Sequence, residues 1–159
     1  MRRAEPLLRA VLPEEVELRF RLARGLPPIL ASFEALSRAL LELVVNASEA
    51  MAGGPGCVEV ETGRAVLDAS EVENLIAPGG ITAGPHVWLE VRDEGPGVES
   101  DASDRLCERG FSTKGGGRGH GLSEVREILA DHRAGLRVSS RLGEGAAFQI
   151  LLPLGSLTP

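Results

Sequence analysis

The chain has 159 residues, of which 43% are hydrophobic and 25% charged, and carries a formal net charge of −6. That is the make-up of one globular domain with enough length to bury about two-thirds of its unfolded surface, which excludes a disordered or collagen-like chain and removes the need for a disulfide or metal staple. The acidic balance argues against a nucleic-acid binder with its basic face, and no apolar run reaches the ~18–20 residues of a membrane span, because Glu42 and Asn46 interrupt the best candidate.

Residues 1–15 read as a linker or short helix ending at Pro13, with no signal-peptide core ahead of Glu14 and Glu15. Val16 to Leu22 alternates apolar and polar residues, which predicts a half-buried strand. Ser32 then caps a predicted helix from about Phe33 to Met51, whose Phe33, Leu36, Leu40, Leu43, Val44 and Ala47 keep the spacing of one face. Cys57 to Thr62 is a second strand. Residues 63–85 hold several turn formers and no lasting periodicity, an excursion with at most one short strand. His86 to Asp93 is a third strand, closed by Glu94-Gly95-Pro96-Gly97. A short helix is expected over Asp101 to Glu108 and a long one over Leu122 to Ala130, followed by strands at Leu136–Ser140 and Ala147–Leu152 around Gly143-Glu144-Gly145. The order implies an α+β two-layer sandwich: a mixed, mostly antiparallel sheet with helices on one face. The domain spans residues 16–153, with 154–159 as a tail. Cys57 and Cys107 match neither a CxxC nor a zinc spacing, which suggests a reducing, cytoplasmic compartment.

Glycine and lysine usage is uneven. There are 20 glycines, nearly twice the ~7% average share. The one lysine, Lys114, stands among sixteen arginines and inside the densest glycine cluster, Phe111-Ser112-Thr113-Lys114-Gly115-Gly116-Gly117-Arg118-Gly119-His120-Gly121-Leu122. It is either the chance survivor of a composition that uses Arg in place of Lys, or a compact ammonium placed to suit a phosphate. Glu42 and Asn46 lie one helical turn apart on one face, within an otherwise apolar stretch. They are either a solvent-facing polar pair or a working one, with Asn supplying an uncharged oxygen to magnesium and Glu orienting an attacking group. Asp93-Glu94-Gly95-Pro96-Gly97 is either a plain turn or a carboxylate set to accept from an exocyclic amine while bare backbone approaches a flat base. Gly117-Arg118-Gly119-His120-Gly121 runs into a helix, where free N–H groups and partial positive charge receive phosphate. It fits neither a P-loop nor a dinucleotide fingerprint. A hairpin turn accounts for Gly143-Glu144-Gly145.

In order, Asn on a helix, Asp-x-Gly-x-Gly after a strand, Phe-Ser-Thr-Lys, Gly-x-Gly-x-Gly-Leu into a helix and Gly-x-Gly-x-x-Phe between strands resemble the ATP-binding domain of sensor histidine kinases. That domain belongs to the GHKL superfamily shared with gyrase, mismatch-repair and heat-shock chaperone ATPases. The resemblance covers roughly residues 14–153, and Glu108 to Lys114 looks most like kinases of the nitrogen-regulatory and dicarboxylate-sensing kinds. It implies ATP and Mg2+ as cofactors, Asn46 as the magnesium ligand and Asp93 as acceptor of the adenine amine. Gly95 and Gly97 would admit the purine, and residues 98–116 would form a lid latched by Phe111. Lys114 would reach phosphate, and Gly117, Arg118, Gly119 and Gly121 would cradle the triphosphate. Thr113, His120 and Leu122 complete the implied nucleotide contacts, and Glu42, Asn46 and Lys114 the catalytic set.

Ala146 stands where this family usually has threonine or serine, which removes a hydroxyl near the adenine. Glu42 stands where many sensor kinases carry Asn and gyrase-like ATPases place a water-activating Glu. His86, His120 and His132 do not open the helix of a dimerisation domain. The implied function is therefore transfer of the γ-phosphoryl group of Mg-ATP to a histidine on a phosphoacceptor and dimerisation domain, in the same or another chain, ahead of a response regulator. The isolated domain is expected to be a monomer, with no nucleic-acid partner and no membrane segment. The alternatives are a free-standing ATPase using Glu42 as base, and a non-catalytic nucleotide-binding regulator.

Overall fold

A computed structural model describes residues 3–51, 54–77, 79–97 and 121–155. The period-two pattern at Val16–Leu22 forms β1, followed by β2 (Gly56–Leu67), β3 (Gly84–Asp93), β4 (Gly135–Arg141) and β5 (Gly145–Pro153). They make one sheet in the order β1-β2-β3-β5-β4, with β1 parallel to β2 and the other three pairs antiparallel. The α+β sandwich expected from the sequence is the observed architecture.

Two long helices, α2 (Phe33–Ala50) and α4 (Gly121–Asp131), cover one face. Ser32 caps α2 as the sequence predicts, its Oγ accepting from the Ala35 N–H. Leu40, Leu43 and Val44 of α2 and Val125 and Leu129 of α4 bury against Val58, Val60, Val91, Leu136 and Ile150 of the sheet. Phe33, counted with that apolar face in the sequence, is the first residue of α2 and is 45% exposed. A short helix α1 (Glu5–Val11) places Ala4 and Leu8 in the same core.

The stretch from residue 63 to 85 departs most from expectation. β2 runs on to Leu67 in unbroken register with β3, and α3 (Ala69–Glu73) follows behind a capping box in which Asp68 and Glu71 satisfy each other's backbone N–H. In β2 the buried positions change from Val58 and Val60 to Gly63 and Leu67, on the opposite face. No bulge causes this. A second hydrophobic cluster, Leu67, Leu75, Ile81 and Leu151 with Val72 and Trp88 packed against it, lies on the face away from α2 and α4. Gly63 leaves room there for the Trp88 ring.

α2 and α4 run antiparallel, tied at three levels. The Ser32 N–H donates to His132 Nε2 (3.2 Å), whose Nδ1–H donates to the Ile128 carbonyl (2.8 Å). Arg38 pairs with Glu124, and Gly121 abuts Glu42 and Asn46. Among the described residues no helix is long and apolar enough to cross a membrane.

Candidate functional site

β3 delivers Asp93 as its last residue, on the face that α2 covers. Strand register sets it in a row with Val58 on β2 and Ala146 on β5, and Ser140 on β4 extends the row. The carboxylate is 3% exposed, and Oδ1 accepts from the Gly95 N–H (2.8 Å) and the Ala146 N–H (3.3 Å). A buried carboxylate can only accept, so its surroundings must supply donors. Two of them are backbone groups whose positions the sheet fixes.

The glycines around Asp93 are required by close approach. A Cβ on Gly95 would come within 2.8 Å of Asp93 Oδ1 and 3.1 Å of Ala50 Cβ at the end of α2. Gly97 (φ +68°) lies against the Arg141 carbonyl, and Gly145 (φ +84°) against the carbonyl of Asp93 itself. A side chain at either position would be strained by backbone and by space together. The Gly143 N–H donates to the Pro96 carbonyl (2.7 Å), and Ser140 Oγ donates to the Gly145 carbonyl (2.9 Å). The β4–β5 turn, which the sequence explains as a hairpin alone, thus packs against Asp93 from a second side. Sequence reasoning missed Gly145, Ser140 and the Ala146 backbone as holders of Asp93. The available signal was Gly-x-Gly recurring at the end of both Asp93-Glu94-Gly95-Pro96-Gly97 and Gly143-Glu144-Gly145. The Ala146 N–H reaches Asp93 through backbone, so that bond is indifferent to the missing hydroxyl.

The second group stands on α2. Glu42 and Asn46 point at the first residue of α4, because a Cβ on Gly121 would lie 2.8 Å from Glu42 Oε2 and 3.3 Å from Asn46 Nδ2. Asn46 Nδ2 is buried with no hydrogen-bond partner among the described residues. An unmade bond at a buried amide nitrogen costs about 1–3 kcal/mol, although Glu42 and Asn46 as whole residues are half-buried. Burial raises the Glu42 carboxyl above its ordinary range; the Glu124 carboxylate adds to this and Arg38 opposes it. The start of α4 brings the partial positive charge of a helix N-terminus to the same place.

The structure therefore brings Asp93, Gly95 and Gly97 together at one end, and Glu42, Asn46, Gly121 and Leu122 at the other. Phe111, Thr113, Lys114, Gly117, Arg118, Gly119 and His120, with the expected lid at 98–116 and the helix at Asp101–Glu108, lie outside the described residues. His86 is 3% exposed, and its Nδ1–H donates to the Gly84 carbonyl (2.8 Å).

Comparison with known proteins agrees with this fold. Residues 32–156 match the family described as Histidine kinase-, DNA gyrase B-, and HSP90-like ATPase. The chain is 33% identical over 140 residues to the sensor histidine kinase ZraS of Escherichia coli K12, covering 88% of this chain and 26% of that protein. It is 33% identical over 130 residues to the sensory histidine kinase/phosphatase NtrB of Rhodobacter capsulatus, covering 82% and 35%. Full-length ShkA, solved in complex with AMPPNP, superimposes with a TM-score of 0.73 and 29% identity over 96% of this chain and 28% of that one. The chain thus spans about a quarter to a third of the length of these relatives. It belongs to the histidine kinase-, DNA gyrase B- and HSP90-like ATPase family and is a histidine kinase-type ATP-binding domain.

Proposed function

We propose that this chain binds Mg-ATP between Asp93 and the α2–α4 junction and donates the γ-phosphoryl group to a histidine on a phosphoacceptor and dimerisation domain. The observation that carries the reading is the pairing of a buried acceptor with a phosphate-compatible helix start. Asp93 is held by two backbone N–H groups at one end, and Asn46 faces the first turn of α4 at the other. Asp93 accepts from the exocyclic amine of the base, which selects adenine over a base carrying a carbonyl there. Gly95 and Gly97 let the ring lie against backbone.

Asn46 would hold a magnesium ion through its uncharged Oδ1, as suits a cation that keeps its waters and leans on phosphate oxygens, while its buried Nδ2, unpartnered among the described residues, has a donor to offer a phosphate oxygen. When bound, the ion neutralises developing charge on the phosphates. Asn46 orients them, the α4 N–H groups receive the anion, and Lys114, Arg118 and the 117–121 glycines complete the cradle. Glu42 lies beside the same helix start and orients the attacking group. Downstream transfer to a response regulator and cytoplasmic placement belong to this reading, as does a monomeric state for the isolated domain.

Phosphoryl transfer needs an acceptor nearly in line and close to contact. His86 is buried, and both ring nitrogens of His132 are engaged, Nε2 by the Ser32 N–H and Nδ1 by the Ile128 carbonyl, about 16 Å of helix away from Gly121. The isolated chain given radiolabelled ATP should therefore form no acid-labile phosphohistidine, and adding a phosphoacceptor domain should restore labelling on that domain. Efficient labelling of His86, His120 or His132 overturns the reading. The raised Glu42 carboxyl beside Gly121 favours one second reading, a free-standing ATPase with Glu42 as base. Steady hydrolysis without a histidine partner, lost in Glu42→Ala, would establish it instead.

A further inference from the structure

The start of α4 is attractive to an anion only if its surroundings are not too negative. Glu42 lies against Gly121, and one turn along α4 Glu124 returns to α2. Two carboxylates thus flank the helix start, with Glu49 adding further negative charge on α2. Arg38, one turn before Glu42, is set against them: it pairs directly with Glu124 and its charge also acts on Glu42. A helix N-terminus holds only about half a positive charge, which one unneutralised carboxylate cancels.

The geometry points to Arg38 as a positioning residue for the triphosphate, acting without contact by neutralising Glu124 beside the α4 N-terminus. This rests on the Mg-ATP reading above and adds to it a residue that the sequence motifs do not contain. Arg38, Glu42 and Glu124 together leave one net negative charge. Arg38→Gln makes it two, Glu124→Gln makes it none, and the double variant returns it to one. A purely mechanical clamp between α2 and α4 predicts something else, since either single change and the double change would loosen it alike.

The test uses the whole chain in calorimetric titrations with magnesium and a non-hydrolysable ATP analogue, with adenosine as the phosphate-free control. Arg38→Gln should weaken the analogue by about three- to tenfold at low salt, leave adenosine unchanged, and lose most of its deficit at roughly 0.3 M salt. Glu124→Gln should bind at least as tightly as the parent, and the double variant should return to within about twofold of it. Arg38→Lys, which keeps the charge, should behave as the parent. Arg38 is 67% exposed at its side chain, so these variants should melt with the parent. Equal weakening in Glu124→Gln, no recovery in the double variant, or equal weakening of adenosine overturns the proposal. A parent chain whose nucleotide binding is absent, or indifferent to Asp93→Ala, overturns the Mg-ATP reading and this inference with it. Normal, Asp93-dependent binding without recovery rejects Arg38 alone.

Discussion

Asp93 and Asn46 both lie near the end of a regular element, one closing β3 and the other in the last turns of α2. The chain holds them by different means. Asp93 is gripped by backbone: two N–H groups on its Oδ1, three glycines pressed against neighbouring backbone or its own carboxylate, and a strand register that leaves no freedom of placement. Asn46 is surrounded by side chains and left with a buried nitrogen unpartnered, beside charges that oppose one another. In the proposed reading the base end is thus preorganised by the sheet, and selectivity there would follow from fixed geometry. In the same reading the phosphate end is a balance of charges that a ligand would complete, and small electrostatic changes should be felt there first.

The comparison breaks most visibly at Asn46. Asn46→Ala removes the side chain assigned to magnesium and the phosphates without disturbing a hydrogen bond of the described fold. Transfer to an added phosphoacceptor domain should fall below detection while circular dichroism and melting stay close to the parent. A variant that still transfers would show that the phosphate end is built elsewhere. At the base end the expected damage is structural. Gly145→Ala places a methyl on the Asp93 carbonyl at φ +84°, which should cost about 2–5 kcal/mol in denaturant unfolding. An unchanged midpoint would mean that the β4–β5 turn does not press on Asp93.

The smallest effect sharpens the electrostatic side. Burial, then Glu124, raises the Glu42 carboxyl, so ionising it disfavours the folded state. Relative to Glu42→Gln, the parent should lose stability as pH rises from its ordinary value of 4.5 through the raised one, and should match the variant below about 4.5. Denaturant midpoints across pH 3–8 measure it. A variant less stable than the parent at neutral pH would place Glu42 in a favourable ion pair instead.

Much of this was legible in the sequence because local chemistry and packing agreed. Ser32 capped the helix it was expected to cap, and the alternation at Val16–Leu22 and His86–Asp93 became strands over the same residues or nearly so. Asp93 and Asn46 are singled out by motif order rather than by periodicity. The stretch after Thr62 was illegible for a physical reason: its apolar positions change parity where a second core begins on the other face, so no single face could be followed. The capping box Asp68-Ala69-Ser70-Glu71 was the local signal that would have announced α3. The Gly145 contact was hidden because a hairpin turn and a backbone wall call for the same residues. The Arg38–Glu124 pair joins residues 86 positions apart, which no single-sequence pattern connects.

The proposed function turns most on Asp93, held by backbone N–H groups, accepting from adenine. Calorimetry with ADP on the parent, Asp93→Ala and Asp93→Asn tests it most directly. Loss of a hydrogen bond to a charged acceptor is worth about 1.5–3 kcal/mol, or roughly 10- to 150-fold in affinity. Asp93→Asn keeps an oxygen for the Gly95 and Ala146 N–H groups, so it separates recognition from folding. Micromolar or weaker binding by the parent, with a loss of that size in both variants and a retained fold in Asp93→Asn, is the expected result. Unchanged ADP affinity in a folded Asp93→Asn would contradict the account.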